Sequence, residues 1–294
     1  RTPGLGEPAS VRRVYRLSGV VPNQLTEARH RVVEALRVFG GAPVTLGELV
    51  EAAGCGASVV KGLVKLGVVA EEDAPRDTPY PRLTAGIGGR LEGDQVAAGD
   101  ALVATVALGG YATTLLKGVT GSGKTEVYLE AVAECLRAGR QALVLLPEIA
   151  LTAEFLTRVE ARFGARPAEW HSGVTMTERR RLWRMVSEGE AGLVVGARSA
   201  LFLPFRELGL VVVDEEHDTS YKQEDGVLYN ARDMAVLRAA IVGCPVVLAS
   251  ATPSIETRVN ADRGRYTRLS LPERFGGRAM PVLRKEVGEG LKLP

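Results

Sequence analysis

Apolar positions recur along this chain in two different rhythms. In the first third the spacing is helical: Ala28, Val32, Ala35, Leu36 and Phe39 repeat near the 3.6-residue period, which predicts an amphipathic helix. Thr45-Leu46-Gly47-Glu48 then has capping-box spacing, so a second short helix is expected to begin there. Gly54-Cys55-Gly56 makes a tight turn into a third, Ala57–Leu66, with Val59, Val60, Leu63, Val64 and Leu66 on its apolar face. Gly67 is placed to end that helix, and Val68-Val69-Ala70 reads as a strand. Three helices and a strand in this order are the pattern of a small winged-helix domain, assigned to residues 12–74. In such a domain the third helix would contact DNA, here through Lys61 and Lys65, which share a face at i, i+4. Glu48, Glu51, Glu71, Glu72 and Asp73 offset those lysines, so a packing or protein-binding role stays open.

The rhythm changes after a stretch rich in Pro and Gly, residues 75–90, which reads as a linker. Short apolar runs now alternate with helical stretches: Thr114–Leu116, Ala142–Leu146, Leu193–Val195, Leu210–Val213 and Val246–Ala249. Val- and Leu-rich runs without alternation predict parallel strands buried on both faces, an α/β domain over residues 91–271. Residues 1–11 read as a flexible lead-in and 272–294 as a further linker.

Composition narrows this picture without redirecting it. The 294 residues carry 37 basic and 35 acidic side chains, a net charge of +2 that singles out no partner. Cys55, Cys135 and Cys244 lie far apart, and there are only three histidines, so neither a disulfide framework nor a structural zinc site is expected. No apolar run approaches the ~20 residues that cross a bilayer, and no secretory segment opens the sequence. A cytoplasmic protein without membrane contact is expected.

The candidate chemistry starts at Gly118-Val119-Thr120-Gly121-Ser122-Gly123-Lys124-Thr125, a complete phosphate-loop pattern between a strand and a helix. Its glycines, with Thr120 and Ser122, let backbone N–H groups turn inward around phosphate oxygens. Lys124 would reach the β- and γ-phosphates, and the Thr125 hydroxyl would ligate Mg²⁺. The strand Leu210–Val213 ends in Asp214-Glu215-Glu216-His217, at the sheet edge where the phosphate loop also lies. There Asp214 would hold Mg²⁺, Glu215 would orient or deprotonate water, and His217 would couple. Ser250 and Thr252 follow the last apolar run, placed to bond to His217 and sense the γ-phosphate. Gln95, in Leu91–Gln95, would read the adenine edge.

These residues carry a resemblance. Gly118–Thr125, Asp214–His217 and Ser250–Thr252 resemble motifs I, II and III of superfamily 2 helicases, which implies a RecA-like P-loop NTPase lobe using ATP and Mg²⁺. The stretches GVTGSGKTEVYL, LLPEIALT, WHSG, GARSALFLPF and Asp214–Ala239 are similar to the primosomal protein N′ family of replication-restart DNA helicases. That resemblance implies a 3′→5′ translocase acting on forked and single-stranded DNA, with primosome and single-strand-binding proteins as partners. It assigns strand contacts to Pro147, Glu148 and Thr152, and phosphate contacts to Gly196, Arg198 and Ser199. It makes Asp218–Arg232 an aromatic-rich coupling loop, in which Tyr221 and Tyr229 would stack on bases while Lys222 and Arg232 offer charge. By the same resemblance, the family's N-terminal 3′-end-binding domain and its second lobe, with an arginine finger and a zinc insertion, are expected outside these 294 residues. A single lobe is therefore expected to bind ATP-Mg and DNA but to hydrolyse ATP slowly. A non-catalytic fork-recognition scaffold of the same fold is the alternative. Another P-loop enzyme, such as a kinase, would need a small-substrate pocket where the aromatic loop stands.

Overall fold

The computed structural model describes residues 11–19, 24–39, 44–75, 80–85, 89 and 91–274. Residues 1–10 of the expected lead-in, 275–294 of the expected tail and much of the 75–90 stretch lie outside the described residues. The chain divides into two units, Arg1–Pro79 and Tyr80–Pro294.

In the first unit, helices α1 (Glu27–Val38), α2 (Leu46–Ala53) and α3 (Ala57–Lys65) share a core with a small antiparallel sheet. The sheet runs β2 (Val44–Thr45), β1 (Val11–Leu17), β3 (Val69–Pro75). Val32, Leu36, Leu49, Val60 and Leu63 are buried, the apolar positions the helical periods select. The capping box forms, with Thr45 N donating to Glu48 Oε2 at 2.8 Å and Glu48 N donating back to Thr45 Oγ1 at 3.4 Å. Those bonds, and above all the Thr45 hydroxyl on the carboxylate, hold the Glu48 carboxyl below its ordinary range. Leu66 departs from expectation: it lies just past α3 and is 54% exposed. Strand β1 was not anticipated, because its Arg13 and Arg16 interrupt the apolar pattern; both pair with carboxylates of β3, Glu71 at 3.1 Å and Glu72 at 2.6 Å. Two of the carboxylates that offset the lysines are thus engaged by β1, while Lys61 and Lys65 are both exposed.

The second unit is a seven-stranded parallel sheet with the order β12-β4-β11-β8-β5-β7-β6. These strands are β4 (Ala112–Gly118), β5 (Gln141–Leu145), β6 (Ala168–Trp170), β7 (Leu193–Gly196), β8 (Leu208–Val213), β11 (Pro245–Ser250) and β12 (Thr267–Leu271). Between β8 and β11 a hairpin of two-residue strands pairs β9 (Lys222–Gln223) with β10 (Tyr229–Asn230). The helices are α4 (Asp94–Leu108), α5 (Lys124–Arg137), α6 (Ala153–Phe163), α7 (Met176–Glu188), α8 (Ala231–Val242) and α9 (Ile255–Asp262). Every residue of β5, β7, β8 and β11 is buried, as continuous apolar runs require in a sheet covered on both faces. This is the parallel α/β sheet that the apolar runs imply and the RecA-like architecture that the family resemblance implies. Tyr80 and Thr84, from the stretch read as linker, are bound to this unit: the Tyr80 hydroxyl donates to Glu178 at 2.6 Å and Thr84 N to Phe163 O at 2.9 Å. Among the described residues no helix is long and apolar enough to cross a membrane.

Sheet order decides what meets what. Strand β11 lies between β4 and β8, so Ser250 leaves the sheet between the phosphate loop and Asp214. Residues separated by more than a hundred positions in sequence therefore share one carboxyl edge.

Candidate functional site

The phosphate loop turns off β4 at Gly118 and enters α5 at Lys124. Gly121 and Gly123 both have φ of +80°, where an L side chain is strained, and a Cβ on Gly123 would stand 2.5 Å from Gln95 Nε2. Backbone N–H groups can therefore face inward, and the Ser122 hydroxyl is buried with no hydrogen-bond partner among the described residues. Lys124 is 8% exposed; its Nζ donates to Gly118 O at 3.0 Å and lies 3.8 Å from Glu215 Oε1.

Asp214 stands across from it, held by two donors on different oxygens. The Tyr128 hydroxyl, one helical turn after Lys124, donates to Oδ2 at 2.9 Å, and Glu215 N donates to Oδ1 at 2.9 Å. Burial pushes the Asp214 carboxyl above its ordinary range and the Glu215 charge adds to this, while the Tyr128 hydroxyl works against it. Burial likewise drives the Tyr128 phenol well above 10, so it remains a proton donor. Glu215 itself has φ of +46°, the single non-glycine residue with positive φ among the described residues. Such a conformation costs about 1–3 kcal/mol and persists only where its surroundings enforce it. His217 Nδ1 meets Ser250 Oγ at 2.8 Å, while Thr252 reaches that oxygen through its backbone N at 3.1 Å rather than His217 through its hydroxyl.

Gln95, Thr120, Gly121, Ser122, Gly123, Lys124, Thr125, Asp214 and Glu215 line one cavity of about 610 Å³. The Gln95 amide donates to Ser122 O at 2.8 Å and accepts from Glu92 N at 3.1 Å. One N–H and one lone pair remain on that amide, the pair needed to read an adenine edge. The donors facing this cavity, a carboxylate and the Thr125 hydroxyl, are hard oxygens of the kind Mg²⁺ takes. Among the described residues no group of three or more His, Cys, Asp or Glu side chains could hold a metal ion alone. A metal here would draw most of its ligands from phosphates and water.

A smaller cavity of about 300 Å³ brings together Glu148, Ile149, Arg198, Asp218, Ser220 and Tyr221. Arg198 Nη1 donates to Ser220 O at 3.1 Å and Lys222 O at 3.0 Å, pinning the Asp218–Arg232 segment to the end of β7. Thr152 caps α6 by accepting from Phe155 N, and Ser199 accepts from Trp170 Nε1 at 3.0 Å. Lys222 is exposed beside Glu224, and Tyr229 meets Phe202 edge to face with centroids 5.2 Å apart.

Two residues assigned to this face are buried rather than open to a strand, although Tyr221 forms part of the wall of this cavity. Tyr221 is 1% exposed, and its hydroxyl bridges Asp214 O at 2.6 Å and Leu145 O at 3.0 Å, so no ring face is offered to a base. Arg232 belongs to the first turn of α8 and is 7% exposed, ion-paired to Asp233, Glu216 and Glu256. The segment folds back on the sheet edge, and its two most sequence-prominent side chains become internal braces. Tyr221→Phe is accordingly expected to lower stability by about 1–2 kcal/mol with single-strand affinity unchanged. Urea unfolding beside a fluorescence titration with labelled oligonucleotide checks this. Unaltered stability would show that the hydroxyl does not brace the segment, and weakened DNA binding in Tyr221→Ala at unaltered stability would restore the stacking assignment.

Reading by motif also missed Tyr128 and Glu216. Tyr128 sits at i+4 from Lys124, which was the available signal. Glu216 is fully buried and accepts from Ser254 N at 2.7 Å, and from Ser254 Oγ and Thr257 Oγ1 at 3.0 Å each.

The parallel sheet, the phosphate-loop pattern, the acidic strand end and the Ser/Thr loop between them give an α/β lobe of the helicase class. The family model for DEAD/DEAH box helicases matches residues 100–260, more than half of the chain, and the chain belongs to that family. Among curated relatives it is similar to the replication restart protein PriA of Bacillus subtilis, 40% identical over 247 residues, 82% of this chain and 30% of that protein. It is similar also to PriA of Rickettsia felis, 50% identical over 168 residues, 57% of this chain and 26% of that protein. The chain spans less than a third of the length of these relatives. Among solved structures it is similar to RecG bound to a three-way DNA junction, with TM-score 0.48 and 23% identity over 68% of this chain and 25% of that one.

Proposed function

We propose that this chain carries the ATP-binding lobe of a replication-restart DNA helicase moving 3′→5′, with a winged-helix domain in residues 12–74 ahead of a lobe in 91–271. The observation that carries this reading is the joint between two motifs: Tyr128, on the phosphate-loop helix, bonds to Asp214 while Lys124 faces Glu215 across the same cavity. In that arrangement the backbone of Gly118–Thr125 cradles the phosphates, and Lys124 exchanges its carbonyl partner for phosphate oxygens. Thr125 and Asp214 would hold Mg²⁺, which supplies charge neutralisation on the phosphates when bound. Glu215 orients the attacking water and accepts its proton. His217 passes the state of the site to Ser250 and Thr252. Lys222, Tyr229, Arg198, Ser199, Glu148 and Thr152 form the single-strand path, with Lys61 and Lys65 a second DNA contact. Fork DNA, primosome proteins and single-strand-binding proteins are the partners this reading implies, in the cytoplasm.

Steady-state ATP hydrolysis and Mg-ATP binding by the 294-residue chain, with and without forked DNA, test this reading. Mg-ATP binding is expected, with slow turnover, because such sites are completed by an arginine worth about 10³–10⁵ in rate. Absence of Mg-ATP binding at millimolar nucleotide would overturn it.

A further inference from the structure

Two fully buried tyrosines converge on Asp214 from different elements, and they hold different parts of it. The Tyr221 hydroxyl donates to the main-chain oxygen of Asp214 at 2.6 Å, and Asp214 N donates to Leu145 O at 3.0 Å, so the backbone is fixed against β5. The Tyr128 hydroxyl instead reaches the carboxylate, donating to Oδ2 at 2.9 Å, while Glu215 N takes Oδ1. Tyr128 follows Thr125 at i, i+3 on α5, so the two share a helix face, and the Thr125 side chain faces the same phenol. One buried hydroxyl therefore stands between the two side chains assigned to Mg²⁺.

We propose, resting on the reading of this cavity as a Mg-nucleotide site, that Tyr128 is a positioning residue for its metal ion, orienting the Asp214 carboxylate relative to Thr125. The terminal torsion of an aspartate is broad and has no sharp rotamer well, so hydrogen bonds set the plane of its carboxylate. On Asp214 one of these bonds comes from the adjacent main-chain N–H, which moves with the strand end, and the other from Tyr128, which is anchored elsewhere. That anchor is firm: the Tyr128 ring has no exposure and belongs to the apolar core that contains Leu116, Val144 and Val212. Phenylalanine would fill nearly the same space, so the core needs the ring and not the hydroxyl. A hydroxyl buried this deeply must have a partner, and its partner is a side chain assigned to the metal. Partners that hold a metal ligand from behind in this way typically govern about 10–100-fold of metal affinity.

The test is calorimetric titration of the chain, Tyr128→Phe and Tyr221→Phe with a non-hydrolysable ATP analogue, once with Mg²⁺ in excess and once with EDTA, beside a thermal scan. Each variant loses one buried hydroxyl bonded to Asp214, so both are expected to fall in stability. Only Tyr128→Phe is expected to lose metal dependence, with the gain in affinity on adding Mg²⁺ reduced about 10–100-fold. Its affinity in EDTA should be unchanged, which also shows that the variant is folded. Tyr221→Phe, whose lost bond was to the main chain, should keep the full gain. An undiminished gain in Tyr128→Phe, equal losses with and without the metal, or the same reduced gain in Tyr221→Phe would each overturn the proposal. Failure of the unaltered chain to bind the analogue, or binding indifferent to Mg²⁺, would instead overturn the Mg-nucleotide reading beneath it.

Discussion

Lys124→Ala is expected to reduce Mg-ATP affinity at least about a hundredfold and to leave both DNA binding and stability nearly intact. The asymmetry follows from what the side chain touches. Within the protein its ammonium makes one neutral hydrogen bond, to Gly118 O at 3.0 Å, and a long 3.8 Å approach to Glu215. Losing those costs about 1 kcal/mol, the net value of one intramolecular hydrogen bond. Toward a triphosphate the same ammonium is a buried charge, 8% exposed, and removing one partner of a buried charged pair costs about 2–5 kcal/mol. About 3 kcal/mol is already more than a hundredfold in Kd. The proposed DNA path at Arg198, Lys222 and Tyr229 shares no hydrogen bond with Lys124. Titration calorimetry with Mg-ATP, a thermal scan and a DNA titration on one preparation separate the three effects. Retained nucleotide affinity would remove the phosphate-loop assignment, and a large fall in stability would make Lys124 a structural residue.

The parts of this molecule legible from sequence are those where local chemistry alone decides. The strands with unbroken Val and Leu runs, the Thr45 capping box and the glycines of the phosphate loop need no knowledge of distant neighbours. Strands β6 and β12 escaped notice because they are edge strands, and their short or alternating sequences, Ala168-Glu169-Trp170 and Thr267–Leu271, lack a continuous run. Helix α4 escaped because its apolar residues are spread around it rather than gathered in a stripe. In the site, Lys124, Asp214, Glu215, His217 and Ser250 stand where motif order puts them, because strand ends on one sheet edge must converge. Tyr221 and Arg232 do not. An aromatic and an arginine in a polar loop look like a surface for DNA, and nothing local reveals that the loop turns back. Its closure depends on partners elsewhere in the chain: Leu145 O for the Tyr221 hydroxyl, and Glu216 and Glu256 for the Arg232 guanidinium.

Glu216→Ala is expected to destabilise the second unit by about 3–5 kcal/mol, the cost of removing one partner from a buried, hydrogen-bonded ionic cluster. For a domain of this size that is a fall in Tm on the order of 10 °C. The carboxylate is buried at the end of β8 and receives Ser254 N, Ser254 Oγ, Thr257 Oγ1 and Arg232 Nη1. Alanine leaves a guanidinium that is 8% exposed facing a cavity, with Asp233 and the exposed Glu256 as its remaining partners. Glu216→Gln should fall between, since the hydroxyls of Ser254 and Thr257 can rotate to accept from an amide but the charge opposite Arg232 is gone. Combining Glu216→Ala with Arg232→Met should recover part of the loss, because the uncompensated charge is then removed as well. The functional consequence is specific to position. Glu216 ties the acidic strand end to Ser254 and Thr257, at the start of the helix that follows Ser250 and Thr252, and it does not touch the phosphate loop. At a temperature where the variant remains folded, Mg-ATP affinity should therefore survive while DNA-stimulated hydrolysis falls, the reverse of a lesion at Lys124. Denaturant unfolding of the three variants measures the first claim, and hydrolysis at saturating Mg-ATP with and without DNA the second. Wild-type stability in Glu216→Ala, or a loss of nucleotide affinity equal to its loss of DNA stimulation, would show that this cluster does not link the two ends of the motor site.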